Sequence, residues 1–370
     1  MLVTALVAAI FEAGQAARLE RRAHRLSEEV QRLQNERDEA LKRLAETSAR
    51  RAPRLPAPAL QSTGQVADSS PDGLQSTNFY ARLKNKTTTL DAAQVEAYLK
   101  AYGRNAASLL TAYRTSGNAD LLKEAMENFP TDPHVAFEAV FAKDLSPDER
   151  RQWLNAFEQS APDNALANYL SAREYFKAGQ MDQGVQELVA ASSKGQFQDY
   201  TLDRRQDNEE AYLAAGYSMA EAKVIGSEQV ELPQLAELKQ LGIQMVELSK
   251  SYRQAGDTAS AQAVLQLAAG LGESYSASDP AISHLVGMAI ERIALGAMDP
   301  NSMYGNSGQT AQQRLDALTQ QKTAISTLFK QNEGLLESMS DQDWISYIDR
   351  DKSFGEEAAL RWAMIKYGRK

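Results

Sequence analysis

The residues whose chemistry could support a reaction are few and scattered along this chain. The three histidines, His24, His134 and His284, are too far apart in sequence to indicate one metal or acid–base site. There is no cysteine, which excludes disulfides, thiolate metal sites and thiol catalysis. Glycine-containing stretches at Gly270 and Tyr304 lack the strand and the lysine of a phosphate-binding loop. The sequence therefore predicts no catalytic residue, no metal site and no cofactor.

The net charge of the chain bears on whether its partner is a nucleic acid or a protein. The chain carries 40 Lys and Arg against 49 Asp and Glu, a net charge of −9. Such an acidic chain is not typical of a general nucleic-acid binder. A hydrophobic content of 43% is ordinary for a globular protein. We therefore expect a protein or peptide partner and no nucleic acid.

Three short stretches share one local pattern and predict the helices that position the rest. In each, a glycine follows a tyrosine by four residues, and apolar residues recur at helical spacing before it. The pairs are Tyr113 with Gly117, Tyr175 with Gly179, and Tyr252 with Gly256. Each stretch predicts two helices joined at the glycine.

Capping residues mark where further helices begin. Asp91 with Gln94 and Ser146 with Glu149 fit capping boxes, and Asp132-Pro133 and Asp279-Pro280 fit an N-cap followed by proline. We predict helical hairpins near 91–129, 133–158, 162–193, 207–253 and 257–297, then longer helices near 310–338 and 341–367. A polar loop is predicted over Lys194–Asp207. Because no stretch alternates as a strand would, the predicted fold class is all-α.

The hairpins resemble divergent tetratricopeptide repeats. Small, aromatic and turn residues stand at the repeat's positions in two units: Ala172, Tyr175, Gly179, Gly184 and Ala191, then Leu248, Tyr252, Gly256, Ala261 and Ala268. Gly117 and Gly179 are 62 residues apart, and Gly179 and Gly256 are 77 residues apart. If each interval holds two units, the units are about 31 and about 38 residues long, on either side of the repeat's period of about 34. The starting tryptophan is absent, and the resemblance ends near residue 298. It implies an α-solenoid that binds a partner on its concave face.

The resemblance also implies which residues meet that partner. Tetratricopeptide-like units present positions 13, 10, 6, 3 and 2 before the turn glycine to the concave side. In the three units, six of these fifteen residues are basic and none is acidic: Arg104, Arg114, Arg173, Lys177, Lys250 and Arg253. Because Arg and Lys clamp carboxylates, we expect them to recruit an acidic or C-terminal peptide. The alternative is that they pair with acidic residues of neighbouring helices.

Residues 1–48 combine an apolar run with a heptad pattern. Apolar residues at two heptad positions over residues 19–44 predict a long helix that forms a short coiled coil and a weak homodimer, with a single solvated helix as the alternative. Residues 2–11 span only about 15 Å as a helix, whereas a membrane crossing takes about 20 residues. We expect the end of a single-pass membrane anchor that begins upstream of Met1; the alternative is a cytoplasmic protein. This layout loosely resembles bacterial membrane-anchored repeat proteins, some of them fused behind a sigma factor.

The remaining chain predicts a linker and one helical domain. Prolines and clustered Ser and Thr predict a disordered linker over residues 49–78, followed by a helical-repeat domain over 79–370. Near the C-terminus, aromatic and apolar residues form two stripes: Trp344, Tyr347 and Ile348, then Phe354, Ala358, Trp362 and Ile365. They predict a capping helix pair that closes the solenoid, with a partner-binding stripe as the alternative.

These features favour a non-enzymatic protein–protein interaction scaffold that is tethered to a membrane. Two alternatives remain at this stage. One is an enzyme whose pocket no sequence motif reveals. The other is a sensory or regulatory tail of a larger membrane-anchored regulator.

Overall fold

The computed structural model describes residues 88–276, 281–304, 308–332 and 334–368. The secondary structure in these ranges is almost entirely helical, which confirms the predicted all-α class. The first helices are α1 (Ala92–Tyr102), α2 (Ala106–Ser116), α3 (Ala119–Asn128), α4 (Pro133–Val140), α5 (Pro147–Ser160), α6 (Ala165–Lys177) and α7 (Met181–Ser193). The predictions for the N-terminal segment, its heptad and the linker lie outside the described residues, as does the N-cap predicted at Asp279.

The second half of the chain continues in the same way. Its helices are α8 (Thr201–Ala214), α9 (Met219–Glu228), α10 (Pro233–Gln254), α11 (Thr258–Ser276), α12 (Ala281–Gly296), α13 (Ala311–Asn332), α14 (Asp341–Phe354) and α15 (Glu356–Tyr367). Two short antiparallel strands, β1 (Met303–Tyr304) and β2 (Gln309–Thr310), lie between α12 and α13. A 3₁₀ turn at Leu336–Ser338 precedes α14.

The predicted capping residues begin helices as expected. The Gln94 backbone N–H donates to the Asp91 carboxylate at 2.9 Å, and the Gln94 side chain accepts from the Asp91 backbone at 3.0 Å. Ser146 and Glu149 form the same reciprocal pair at the start of α5, with proline at the first helical position. Such bonds satisfy backbone donors that the first helical turn leaves free.

The three turn glycines end their helices as predicted. Gly117, Gly179 and Gly256 have φ values of 74°, 74° and 82°. Positive φ costs little for glycine and is unfavourable for residues with a Cβ. The local pattern therefore located these turns correctly.

Helix α8 occupies a stretch predicted to be a loop, so the prediction for Lys194–Asp207 is wrong from Thr201 onward. The Asp199 carboxylate accepts from the Thr201 backbone N–H at 3.1 Å where the helix begins. Arg204 and Arg205, which lie in the predicted loop, are buried in the structure, as are Asn208 and Glu209 on the next turn of α8. When the buried face of a helix is polar, apolar residues do not recur at helical spacing, so the sequence does not predict the helix.

The order of helices in space departs from their order in sequence at α8. The pair α6–α7 packs against α10 and α11, whereas α8 packs against α1 and α2, and α9 against α14. The buried Tyr212 hydroxyl of α8 donates to the Thr88 carbonyl at 2.6 Å. The interval from Gly179 to Gly256 therefore runs from α7 to α10, and the pair α8–α9 within it packs away from both α6–α7 and α10–α11.

Three hydrophobic clusters hold these helices together. The largest joins residues of α4–α7 with α10–α13. A second joins α1–α4 with α8 and α9, and a third joins α9 with α13–α15. The inserted pair α8–α9 thus contributes apolar residues to both smaller clusters, and it links the first helices of the described chain to the last ones.

Helices α11 and α12 approach each other unusually closely at two glycines. A Cβ added to Gly287 would lie 2.4 Å from the backbone nitrogen of Ser276. One added to Gly272 would lie 2.5 Å from the backbone nitrogen of Glu291. Since such distances lie well inside van der Waals contact, a larger residue at either position would force the helices apart.

The two C-terminal stripes have different environments. Trp344, Tyr347 and Ile348 of α14 are buried against α9 in the third cluster. The chain then breaks at Gly355, which has a φ of 84°. Phe354 and Ile365 of the second stripe are exposed. Trp362 of the second stripe is partly buried and packs against the third cluster, so the second stripe is divided between core and solvent.

Candidate interaction surface

The described histidines lie in separate parts of the fold. The His134 ring stacks on Tyr200 with 4.1 Å between ring centroids. His284 Nδ1 lies 3.8 Å from a carboxylate oxygen of Glu357. Within the ranges that the structure describes, no group of three or more His, Asp and Glu residues is arranged to hold a metal ion. His24 lies outside those ranges.

A polar cluster at α5, α6 and the end of α7 contains two titratable side chains whose pKa values are shifted. Burial raises the pKa of Glu158, which accepts a hydrogen bond from the Ser171 hydroxyl, and burial lowers the pKa of Lys194. The Asn168 amide donates to Glu187 at 2.6 Å in the same region. Ser171 is fully buried and bonded to a carboxylate within the chain. These groups are therefore placed to hold α5–α7 together and not to meet a substrate.

Arg114 is one of the six predicted contact residues, and the structure buries it. Its guanidinium lies 3.3 Å from Glu138 and 3.4 Å from Asp207, and it donates to Asn208 at 3.2 Å. Asp207 and Asn208 belong to α8, which packs on α2. Both carboxylates belong to its own chain, which corresponds at this residue to the alternative of pairing with acidic residues of neighbouring helices. Its side chain is not accessible to a partner.

Sequence reasoning missed the two arginines beside this site because they fall in the predicted loop. Arg204 Nε lies 3.0 Å from Glu138, and its guanidinium donates to the Glu231 carbonyl at 2.8 Å. Arg205 pairs with Asp351 of α14, and both side chains are buried. Buried ion pairs of this kind fix geometry, because removing one partner leaves an uncompensated charge. The adjacent Arg204 and Arg205 were the only signal in the sequence.

Arg173 and Lys177 lie together on α6, next to α10. Arg173 Nε and Lys177 Nζ are each 3.1 Å from the same oxygen of Glu237, and Arg173 also donates to Gln244 at 2.9 Å. Lys177 makes a second ion pair with Glu174 at 2.5 Å. We call this group the α6–α10 seam. The side chains of Lys177 and Glu237 are 38% and 33% exposed.

The remaining predicted residues lie elsewhere. Lys250 pairs with Glu247 at 2.7 Å, and Arg253 donates to the Ala297 carbonyl at the end of α12 at 2.6 Å. Lys250 is 13 residues beyond Glu237 on the same helix, or about 20 Å along its axis. Arg104 pairs with Glu124 and lines a shallow surface cleft with Leu99 and Lys100 of α1. The structure therefore does not bring the six residues into one group.

Comparison with known proteins adds no assignment. No protein-family model, curated protein or solved structure matches this chain. None of the helices in the described part combines the length and apolar composition that a membrane crossing requires. The functional inference therefore rests on the geometry of the helices and their charged residues.

Proposed function

We propose that this protein is a non-enzymatic scaffold that binds an acidic peptide or C-terminus of a partner protein. The α6–α10 seam is the proposed contact. Its two cations share one oxygen of Glu237, and the Lys177 side chain is 38% exposed whereas that of Arg173 is 14% exposed. This geometry is the observation that carries the proposal, because a partner carboxylate could replace the one that the chain supplies.

The energetics favour exchange at the seam and oppose it at Arg114. An ion pair at a solvent-exposed position contributes about 0–1 kcal/mol. Exchanging the Glu237 carboxylate for a partner carboxylate therefore costs little at Lys177, which is 38% exposed, and more at Arg173, which is 14% exposed. Breaking a buried pair costs about 3–5 kcal/mol, and Arg114 is held by α8. Of the six predicted residues, we assign the contact to Arg173 and Lys177. The other exposed basic residues lie elsewhere on the surface: Arg104, Lys250 and Arg253.

The proposal includes a divergent tetratricopeptide-like solenoid. The packing of α6–α7 against α10–α11 supports a stack of helix pairs. The inserted pair α8–α9 is a departure from such a stack. We also propose that residues 2–11 end a membrane anchor and that the heptad over residues 19–44 supports weak dimers. Both rest on sequence patterns alone.

A peptide-binding experiment tests the seam. Labelled acidic peptides with a free C-terminus are titrated with the full chain and followed by fluorescence anisotropy. We expect Lys177→Glu to weaken binding by roughly tenfold, since it removes one cation and adds a repelling charge. Glu237→Gln should tighten binding, because it releases both cations.

The matched control is Lys322→Glu, a charge reversal at an exposed position of α13. It should leave the affinity unchanged. Equal affinities for the unaltered chain, Lys177→Glu and Glu237→Gln would refute the seam as the contact. Recovery of the natural full-length product in the soluble cell fraction would separately refute the tether.

A further inference from the structure

A side-chain hydrogen bond holds the first turn of α15 against the first turn of α12. The Glu356 carboxylate accepts it from the Ala281 backbone N–H at 3.2 Å. Glu356 is the first residue of α15, and Ala281 is the first residue of α12. Gly355, which precedes α15, supplies no side-chain cap to that helix. We call the hydrogen bond between Glu356 and Ala281 the α12–α15 latch.

Carboxyl groups outnumber cations around the latch. Asp351 of α14 and Glu228, the last residue of α9, both act electrostatically on Glu356. Arg205 of α8 is the cation that opposes them, and it already forms a buried ion pair with Asp351. Three carboxyl groups therefore share one guanidinium, and a negative charge on Glu356 would find the nearest cation already paired.

Other charged groups on the helices that meet here belong to separate contacts. His284 of α12 lies 3.8 Å from Glu357 of α15, and Glu357 lies 3.7 Å from Arg361. A second network joins α8, α9 and α14 through four residues: Glu209, Lys223, Asp349 and Lys352. Helix α13 also packs against α15, and its Lys322 and Lys330 are exposed. None of these ion pairs includes Glu356.

The closed latch favours the neutral form of Glu356. Burial, together with Asp351 and Glu228, raises its pKa to about 7, whereas a hydrated glutamate has a pKa of 4.5. The Ala281 N–H favours the charged form, but its effect is outweighed. Because the closed latch binds the proton more tightly than an open, hydrated carboxyl does, loss of the proton must shift the equilibrium toward the open form.

A break in the chain and a packed segment define how much of α15 can move. Gly355 has a φ of 84° and separates α14 from α15. The third hydrophobic cluster buries three residues further along the helix: Ala359, Leu360 and Ala363. The first turn of α15 can therefore leave α12 while the rest of the helix stays packed. We propose that the α12–α15 latch is a pH-controlled switch that is closed when Glu356 is protonated and opens when Glu356 ionises.

This switch goes beyond the proposed scaffold function and does not depend on residues 2–11 or on the α6–α10 seam. Hydrogen exchange at the Ala281 amide measures it in the full chain. Protection factors, which correct for the effect of pH on the intrinsic exchange rate, are determined at pH 5 and pH 8 by mass spectrometry with residue resolution. The Ala363 amide, in the packed part of α15, serves as the internal reference.

We expect the protection of the Ala281 amide to fall by roughly tenfold between pH 5 and pH 8. The two pKa values allow a change of at most roughly 300-fold, and the partial contact of Glu356 with solvent reduces it. The Ala363 amide should keep its protection, because its part of α15 remains in the hydrophobic cluster.

Four substitutions identify the titrating group. Glu356→Gln should keep Ala281 protected at both pH values, since the amide carries no charge and still accepts a hydrogen bond. Glu228→Gln removes one repelling carboxylate and should move the loss of protection to higher proton dissociation, that is, to lower pH. Because histidine ordinarily titrates near neutral pH, His284→Gln is the close control and should leave the pH dependence unchanged. Glu127→Gln, at an exposed position of α3, is the distant control.

Each outcome decides for or against the switch. Equal protection of Ala281 at pH 5 and pH 8 in the unaltered chain would overturn it. A loss that persists in Glu356→Gln, or one that disappears in His284→Gln, would assign the pH dependence to another group and refute the role of Glu356. An equal loss at Ala363 would show unfolding of the whole helix and contradict a local opening. A loss at Ala281 that Glu356→Gln abolishes and Glu228→Gln shifts would support the switch, whatever the result at the seam.

Discussion

Glu356 provides the sharpest test of the charge placement in the C-terminal helices. It is the first residue of α15, and its carboxylate accepts from the Ala281 backbone N–H at 3.2 Å. Burial, together with the Asp351 and Glu228 carboxylates, raises its pKa to about 7 against the lowering effects of the Ala281 hydrogen bond and Arg205. The folded protein therefore holds a proton here at pH values where the unfolded chain, with a pKa of 4.5, has released it.

These two pKa values determine whether the protein becomes more or less stable as pH rises. Between about pH 4.5 and pH 7 the folded state binds more protons, so the free energy of unfolding falls as pH rises and stays low above pH 7. The pKa difference corresponds to at most about 3.4 kcal/mol, at about 1.36 kcal/mol per pKa unit. Because Glu356 keeps partial contact with solvent, we expect roughly 1–2 kcal/mol.

The substitution Glu356→Gln removes the charge and keeps an acceptor for the Ala281 N–H. We expect the Glu356→Gln variant to be more stable than the unaltered chain by roughly 1–2 kcal/mol at pH 8, and equally stable at pH 4. Urea unfolding at each pH, followed by Trp344 fluorescence, measures this in the third hydrophobic cluster. Glu127→Gln, at an exposed position of α3, is the matched control and should leave the pH dependence unchanged. Parallel stability curves for Glu356→Gln and the unaltered chain would refute the assigned environment.

Four further substitutions, one of them a control, test three other features of the packing. Asp351→Ala should destabilise the protein by about 3–5 kcal/mol in urea unfolding, because it leaves Arg205 buried and unpaired; a loss below 1 kcal/mol would contradict that pairing. Gly287→Ala should destabilise by about 1–3 kcal/mol, since its Cβ would meet the α11 backbone. Gly270→Ala, with no atom within 4 Å of its Cβ, should be neutral or stabilising, and equal effects of the two would refute close packing. Ser146→Ala should lower the melting temperature through loss of about 1 kcal/mol of capping, and an unchanged melting temperature would count against the capping box.

Local features of the fold could be predicted from sequence because their causes are local. The capping pair Asp91 and Gln94 lies within one helical turn, and the positive φ of Gly117 belongs to one residue. Neither depends on distant parts of the chain. The existence and type of most helices follow from such signals together with apolar spacing.

The path of α8 could not be predicted, because its partners are distant and charged. Arg205 is 146 residues from Asp351 in sequence, and Arg114 is 93 from Asp207. In sequence, the polar face of α8 is indistinguishable from a solvated one. The ion pairs of the candidate site could not be predicted for the same reason. Repeat positions selected Arg173 and Lys177, but only three-dimensional packing shows that Glu237 pairs with both of them. The two C-terminal stripes likewise look alike in sequence, and the packing of α9 against the first of them appears only in three dimensions.

The insertion of α8–α9 has a consequence for how the chain is made. Tyr212 bonds to Thr88 across 124 residues, so the first described helices wait for their packing partner during synthesis. At about 5–20 residues per second the delay on the ribosome is roughly 6–25 s. During that interval α1 and α2 have α3 and α4 to pack against but lack α8, and a nascent chain stalled before residue 201 would present the side that α8 covers to chaperones. Ribosome-bound intermediates of increasing length should therefore lose chaperone association once α8 has emerged from the exit tunnel.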